Sequence, residues 1–155
     1  MTALTIVPLS EALAHREQIT DWLYTAFGAA NSRDFFASIL QSSLSGCDLP
    51  LTFVALAGDR AVGTVGLWRC DLISRQDLFP WLAALYIDES YRGRGLSGQL
   101  QQHVMAESRQ RGYRELYLYS ACADYYERFG WRYIGDALDY PDTQVRLYHH
   151  PLGEV

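Results

Sequence analysis

The spacing of apolar residues changes several times along the chain, and each change marks an element. Leu4 to Pro8 reads as a short strand. In "SEALAHREQITDWLYTAFG" the residues Leu13, Ile19, Leu23 and Phe27 fall roughly on one helical face, with Ser10 as N-cap. "NSRDFFASILQSSLSG" reads as a second helix, capped by Asn31 or Ser32 and stopped near Gly46. "LTFVALAGDRAVGTVGLWRC" is a hairpin in outline, turning at Gly58-Asp59. "WLAALYID", from Trp81 to Asp88, is a nearly unbroken apolar run of the kind that suits a central strand buried on both faces. Leu96, Leu100 and Val104 then recur every four residues, which predicts a helix over Ser97 to Arg111, ended by Gly112.

"RELYLYS" from Arg114 to Ser120 alternates Leu116 and Leu118 with Tyr117 and Tyr119, a strand pattern. "ACADYYERFG" reads as a short helix closed by Gly130, and "WRYIGDAL" and "TQVRLYHH" as two last strands turning near Pro141-Asp142. The order β-α-α-β-β-β-α-β-α-β-β predicts an α/β (α+β) fold of about seven strands and about four helices on both sides of a mixed sheet. No repeat or linker interrupts residues 1–155, so one domain is expected.

Composition narrows the partners. Hydrophobic residues are 49%, charged residues 20% and the formal net charge is −5, which argues against a nucleic-acid surface and against a membrane protein. No basic stretch followed by a long apolar run opens the chain, and Cys47, Cys70 and Cys122 form no C-x-x-C pair, so a cytoplasmic location with reduced thiols is expected. His15, His103, His149 and His150 show no metal-ligand spacing, and no metal is expected.

The chemistry concentrates in "YRGRGLSGQL". Gly93, Gly95 and Gly98 spell G-x-G-x-x-G, the letters of a dinucleotide turn, but Asp88 to Arg92 stand between the last apolar residue of the strand and Gly93, and too few residues follow for a second half of a doubly wound sheet. No G-K-[ST] follows, which excludes a Walker P-loop. What stands is strand, glycine-rich loop and helix N-terminus. Residues without Cβ let main-chain N–H groups turn toward a phosphate, the helix start adds its unpaired donors, and Arg92 and Arg94 supply charge.

"LYIDESYRGRGLSGQL" resembles the acyl-CoA pyrophosphate loop of the GCN5-related N-acetyltransferases (GNAT), [QR]-x-x-G-x-[GA], which maps onto Arg92, Gly95 and Ser97. Ser97 stands where that pattern has Gly or Ala. "DYYERFGW" resembles the family's later Tyr-x-x-x-Gly-aromatic motif and maps Tyr126 to its general acid and Gly130-Trp131 to the exit into the next strand. The resemblance implies a mostly antiparallel sheet with splayed fourth and fifth strands, and acetyl-CoA as donor. It also implies a diphosphate held by Arg92, Gly93, Arg94, Gly95, Leu96, Ser97 and Gly98, and a pantetheine arm paired with the backbone of Leu85 and Ile87 on either side of Tyr86. The implied reaction is direct attack by a primary amine, of a small molecule or peptide, in a ternary complex. A longer acyl-CoA, or a sensor without turnover, are the alternatives, and the protein is expected as monomer or homodimer. The residues leave the general base open among Glu115, Asp124 and Asp71, with a water chain past Tyr117 and Tyr119 as another route. An aromatic acceptor pocket from Trp22, Tyr24, Phe27, Phe35 and Phe36 stands beside the reading of those rings as core.

Overall fold

Seven strands form one mixed sheet in the computed structural model, which describes residues 3–153, with the order β1-β2-β3-β4-β5-β7-β6. The strands are β1 (Leu4–Pro8), β2 (Leu51–Ala57), β3 (Arg60–Trp68), β4 (Trp81–Ile87), β5 (Glu115–Ser120), β6 (Arg132–Asp139) and β7 (Thr143–Pro151). Three α-helices accompany them: α1 (Arg16–Phe27), α2 (Arg33–Ser42) and α3 (Leu96–Gln110). All seven expected strands are present, and the chain divides into two compact units, Met1–Gly66 with Ala84–His103, and Leu67–Ala83 with Val104–Val155.

The helices differ from expectation at two places. Ser10 does not cap a long helix. It lies in a 3-10 turn, Leu9–Glu11, followed by a second, Leu13–His15, and α1 starts only at Arg16. Ala12, between the turns, has φ −138 and ψ 36, outside the helical region, so the apolar spacing from Leu13 onward spans a break. The expected fourth helix is a 3-10 turn, Tyr126–Phe129. Asp124 at φ 71 and Gly130 at φ 91 bracket it, leaving too few residues for α-helical bonding.

The first unit's core joins Ile19, Trp22 and Leu23 of α1 to Phe36 and Leu40 of α2, and to Val54 and Ala61 of the sheet. The four-residue spacing of Ile19 to Leu23, and of Phe36 to Leu40, gives each helix one buried stripe. Ser32 caps α2, its Oγ accepting the Phe35 N–H at 3.2 Å. Arg33 locks the pair from outside by donating to Glu17 (2.6 Å) and Asp21 (2.7 Å), carboxylates one turn apart on α1. In the second unit Leu72, Trp81, Val145 and Leu147 form the apolar cluster, with Tyr117, Tyr119 and Ala137 against it. There β5 and β7 pair antiparallel, and β4 pairs parallel with β5 at Trp81 and Tyr117. Beyond Ala83 the β4 backbone kinks, with Ala84 at φ 49.

Within the first unit, α3 is seated by a close approach. A Cβ at Gly63 of β3 would lie 3.2 Å from Leu96 and Leu100 side-chain atoms of α3 and 3.2 Å from the Tyr86 carbonyl of β4. Leu96 and Leu100 are buried there, so the start of α3 rests on β3 where no side chain intervenes. The valine variant Gly63→Val must push that helix outward. Overpacking of this kind costs about 1–3 kcal/mol, and an unfolding free energy lower by that amount, read as a reduced urea midpoint, is expected; an unchanged midpoint would show that α3 is not seated at Gly63.

Candidate active site

Strand β4 delivers the chain into the glycine-rich segment through a short, well-determined stem. The Asp88 N–H donates to the Val62 carbonyl (2.9 Å), which ties the end of β4 to β3. Main-chain groups alternate in direction along a strand, so the N–H and C=O of Ile87 point to the edge away from β3. A 3-10 turn, Glu89–Tyr91, follows, and Arg92 continues extended (φ −69, ψ 150). Gly93 and Gly95 then adopt φ 77 and φ 79, the left-handed region that residues with a Cβ avoid. A Cβ at either would meet nothing within 4 Å, so conformation and not crowding requires glycine, and the backbone stands open there.

The Gly95 carbonyl accepts the Gln99 N–H (3.2 Å), which places Gly95 at the cap of α3 without a side chain to occupy the helix start. The first-turn N–H groups of an α-helix lack intrahelical acceptors and carry its positive dipole end. Arg92 and Arg94 flank this opening. The Arg92 Nε donates to the Ile87 carbonyl (3.1 Å) with its guanidinium over the Tyr86 ring (5.6 Å), and Arg94 lies 4.6 Å from the Tyr91 ring centroid. Ser97 accepts from the buried Gln101 side chain (3.1 Å). Ten of the expected residues, Leu85 to Ile87 and Arg92 to Gly98, therefore fall in one unit. Leu96 alone among them is fully buried, as the anchor of α3.

Tyr126 opens the 3-10 turn of the second unit, and the structure explains its Gly-aromatic sequel. Gly130 closes the turn with positive φ, and a Cβ there would stand 2.8 Å from His150 Nε2. Trp131 follows buried, its ring 6.3 Å from that of Tyr126, while Tyr125 meets Tyr126 edge-on at 4.9 Å. Burial, with smaller effects from Tyr125 and Cys122, pushes the Tyr126 phenol up to about 12. Behind it Arg146 Nε donates to the Tyr148 hydroxyl (2.8 Å), which donates to Glu127 Oε2 (3.2 Å). Burial works against the Glu127 charge, but the main-chain N–H groups of Glu127 and Asp124, the Tyr148 hydroxyl and Arg146 hold the carboxyl below its usual range.

The Acetyltransferase (GNAT) family matches residues 16–131 of this chain. The chain belongs to that family. No curated protein matches it. Its fold is that of an aminoglycoside 6'-N-acetyltransferase complexed with coenzyme A, at 15% identity over 97% of this chain and 98% of the other (TM-score 0.77). It is similar to the GNAT family N-acetyltransferase YhbS of Escherichia coli in complex with CoA, at 24% identity over 99% and 83% of the two chains (TM-score 0.72). A GNAT family acetyltransferase from Elizabethkingia anophelis with acetyl-CoA bound aligns at 16% identity over 96% and 97% (TM-score 0.67).

In this acetyltransferase the three carboxylates singled out as bases differ sharply. Asp124 is exposed on its left-handed backbone. Glu115 is engaged by His149 Nδ1 at 2.9 Å. Asp71 is desolvated, and this, with the nearby charge of Asp139, raises its carboxyl well above the usual range. His149 and His150 both lie in β7 and take structural partners, Glu115 for the first and the Trp131 ring (5.4 Å) for the second. Tyr24, Phe27 and Phe35 are about half exposed while Trp22 and Phe36 are core, so the aromatic segment divides between the two readings. Sequence reasoning missed Arg60, which meets Asp88 at 2.7 Å across 28 residues of chain, a separation no local motif signals.

The phenol of Tyr126 supplies a direct check. Near pH 10, where an ordinary tyrosine is about half ionised, the protein and its Tyr126→Phe variant are expected to show equal phenolate absorbance. An excess of about half a phenolate in the unsubstituted protein would contradict the desolvated environment.

Proposed function

We propose that this acetyltransferase moves the acetyl group of acetyl-CoA to a primary amine by direct attack. The observation that carries the reading is the open, positive-φ backbone at Gly93 and Gly95, set at the start of α3 between Arg92 and Arg94. Such a bend is suited to a diphosphate, since main-chain N–H groups approach it unobstructed and two guanidiniums add charge-assisted contacts. Family membership and the CoA and acetyl-CoA held by structural neighbours support the donor. The aminoglycoside neighbour, with its amine acceptor, supports the acceptor class.

The β4 edge carries the rest of the donor. A pantetheine amide adds to Leu85 and Ile87 as a short strand, with Tyr86 between them. The Ile87 carbonyl is already an acceptor for Arg92, so its N–H is the group offered to the thioester. An N–H aimed at the forming oxyanion is worth roughly 3 kcal/mol in comparable sites.

The amine must shed a proton before it can attack, because an ammonium has no lone pair. A carboxyl raised above its usual range is the better-matched base, and burial moves Asp71 in that direction. Attack forms the carbon–nitrogen bond; as the tetrahedral intermediate collapses, the carbon–sulfur bond breaks, the thiolate leaves and the nitrogen gives up its second excess proton to solvent. Tyr126, with its phenol at about 12, stays protonated throughout the physiological range. Full transfer of its proton to an ordinary thiolate near ~8.5 would run uphill by roughly 5 kcal/mol, so its role is to donate a hydrogen bond to the sulfur. Such help gives about 10²–10⁴-fold in rate.

Thiol release from acetyl-CoA over a panel of aminoglycosides, polyamines, amino acids and peptide N-termini tests the function. Turnover on one amine class is expected, with Tyr126→Phe lowering kcat about 10²-fold or more and leaving the KM for acetyl-CoA nearly unchanged. Binding of acetyl-CoA without turnover on any amine would overturn the catalytic reading in favour of a sensor.

A further inference from the structure

Outside the glycine bend itself, the first unit contains one closed polar ring that the proposed chemistry does not use. Arg60, at the start of β3, donates through Nη2 to Asp88 Oδ2 (2.7 Å) and to Ser90 Oγ (2.6 Å). Ser90 Oγ in turn donates to the same Asp88 oxygen. The three side chains close on one another at the point where β4 ends and the glycine-rich segment begins.

The ring reaches further along the loop through aromatic contact. The Arg60 guanidinium lies 5.9 Å from the Tyr91 ring centroid, and Arg94 lies 4.6 Å from the same ring. Tyr91 thus links β3 to Arg94, which sits between the two left-handed glycines. The backbone of the stem is fixed in parallel: Asp88 N–H to Val62, and Tyr91 N–H to the Asp88 carbonyl (2.8 Å). Nothing comparable restrains Gly93 and Gly95 by packing, since the space at each Cβ position is empty.

Stability alone does not account for this arrangement. The Arg60 side chain is 58% exposed, and an ion pair with so exposed a partner adds little to global stability. What it does restrict is the path of the chain into a bend whose glycines are otherwise free to take many conformations, and a bend already in its bound shape binds more tightly because less order is lost on binding. Asp88 is poised to serve: hydrogen bonding by Ser90 first, and the charge of Arg60 second, hold its carboxyl below the usual range.

We propose that Arg60 is a positioning residue for the diphosphate bend, acting through Asp88, Ser90 and Tyr91 to hold Gly93 to Gly95 in the shape that receives the ligand. The inference rests on the CoA reading for the ligand's identity, but not for the ordering of the bend. Both bonds leave one nitrogen, so an ammonium can keep part of the contact, but it lacks the planar guanidinium that reaches the Tyr91 ring as well.

Two measurements on the full chain test it. Limited trypsin digestion without ligand reads the order of the bend, because Arg92 and Arg94 are cleavage sites within it. Arg60→Ala is expected to speed cleavage there about tenfold, and Arg60→Lys by an intermediate factor. Arg75→Ala, which removes an exposed ion pair elsewhere, is expected to leave it unchanged. Calorimetry with acetyl-CoA is expected to show affinity reduced about tenfold in Arg60→Ala and partly restored in Arg60→Lys, with kcat at saturating donor unchanged. Equal cleavage in Arg60→Ala and the parent overturns the positioning role. Faster cleavage, with no binding of CoA even by the parent, supports that role and overturns the CoA reading instead. Faster cleavage with unaltered affinity, in a parent that does bind, overturns the claim that order at the bend governs binding.

Discussion

The seating of α3 on β3 at Gly63 is the contact on which the candidate site depends. It fixes where the helix begins, and the helix start fixes where its unpaired main-chain donors stand. Leu96 and Leu100 supply the buried side chains and Gly63 the room for them. The two left-handed glycines then allow the chain to turn from strand to helix while leaving that start uncovered. Hydrophobic packing on one side of the helix thereby creates a polar opening at its end. The same opening would be closed by any side chain that capped α3 in the usual way.

The second unit solves a different electrostatic problem. Its Tyr126 phenol is kept neutral by desolvation among aromatic rings, while immediately behind it Glu127 is kept ionised by Arg146, Tyr148 and main-chain donors. Two neighbouring residues on one 3-10 turn are thus held in opposite protonation preferences. The contrast sets a desolvated, neutral phenol beside a charge held by main-chain N–H groups, Tyr148 and Arg146. Asp71 stands apart from both, a carboxyl made basic by burial and by the proximity of Asp139.

Much of this was legible in the chain because it is written in local spacing. The seven strands, α3 and the glycine bend follow from period and from residues without Cβ, and Ser32 is one of the two residues that fit a cap for α2. The start of α1 was not legible, since Ser10 offers a good cap signal and the competing 3-10 turns after Pro8 have no distinct pattern. The residues around Tyr126 have the pattern of an α-helix because the left-handed backbone of Asp124 leaves no mark in composition. The Arg60 ring joins residues 28 and 30 positions apart, and the fates of Asp71, Glu115 and Asp124 depend on burial and partners, which only the folded chain decides. Departures of this kind arise where tertiary contacts override local preference.

The central claim is that main-chain amides from Gly93 to Gly98 hold the diphosphate of coenzyme A. Titration of the isotopically labelled protein with coenzyme A, followed by amide resonances, tests it most directly. Saturable shifts concentrated at Gly93, Gly95, Ser97 and Gly98 are expected. Saturation of resonances elsewhere, with those four unmoved, would contradict the account.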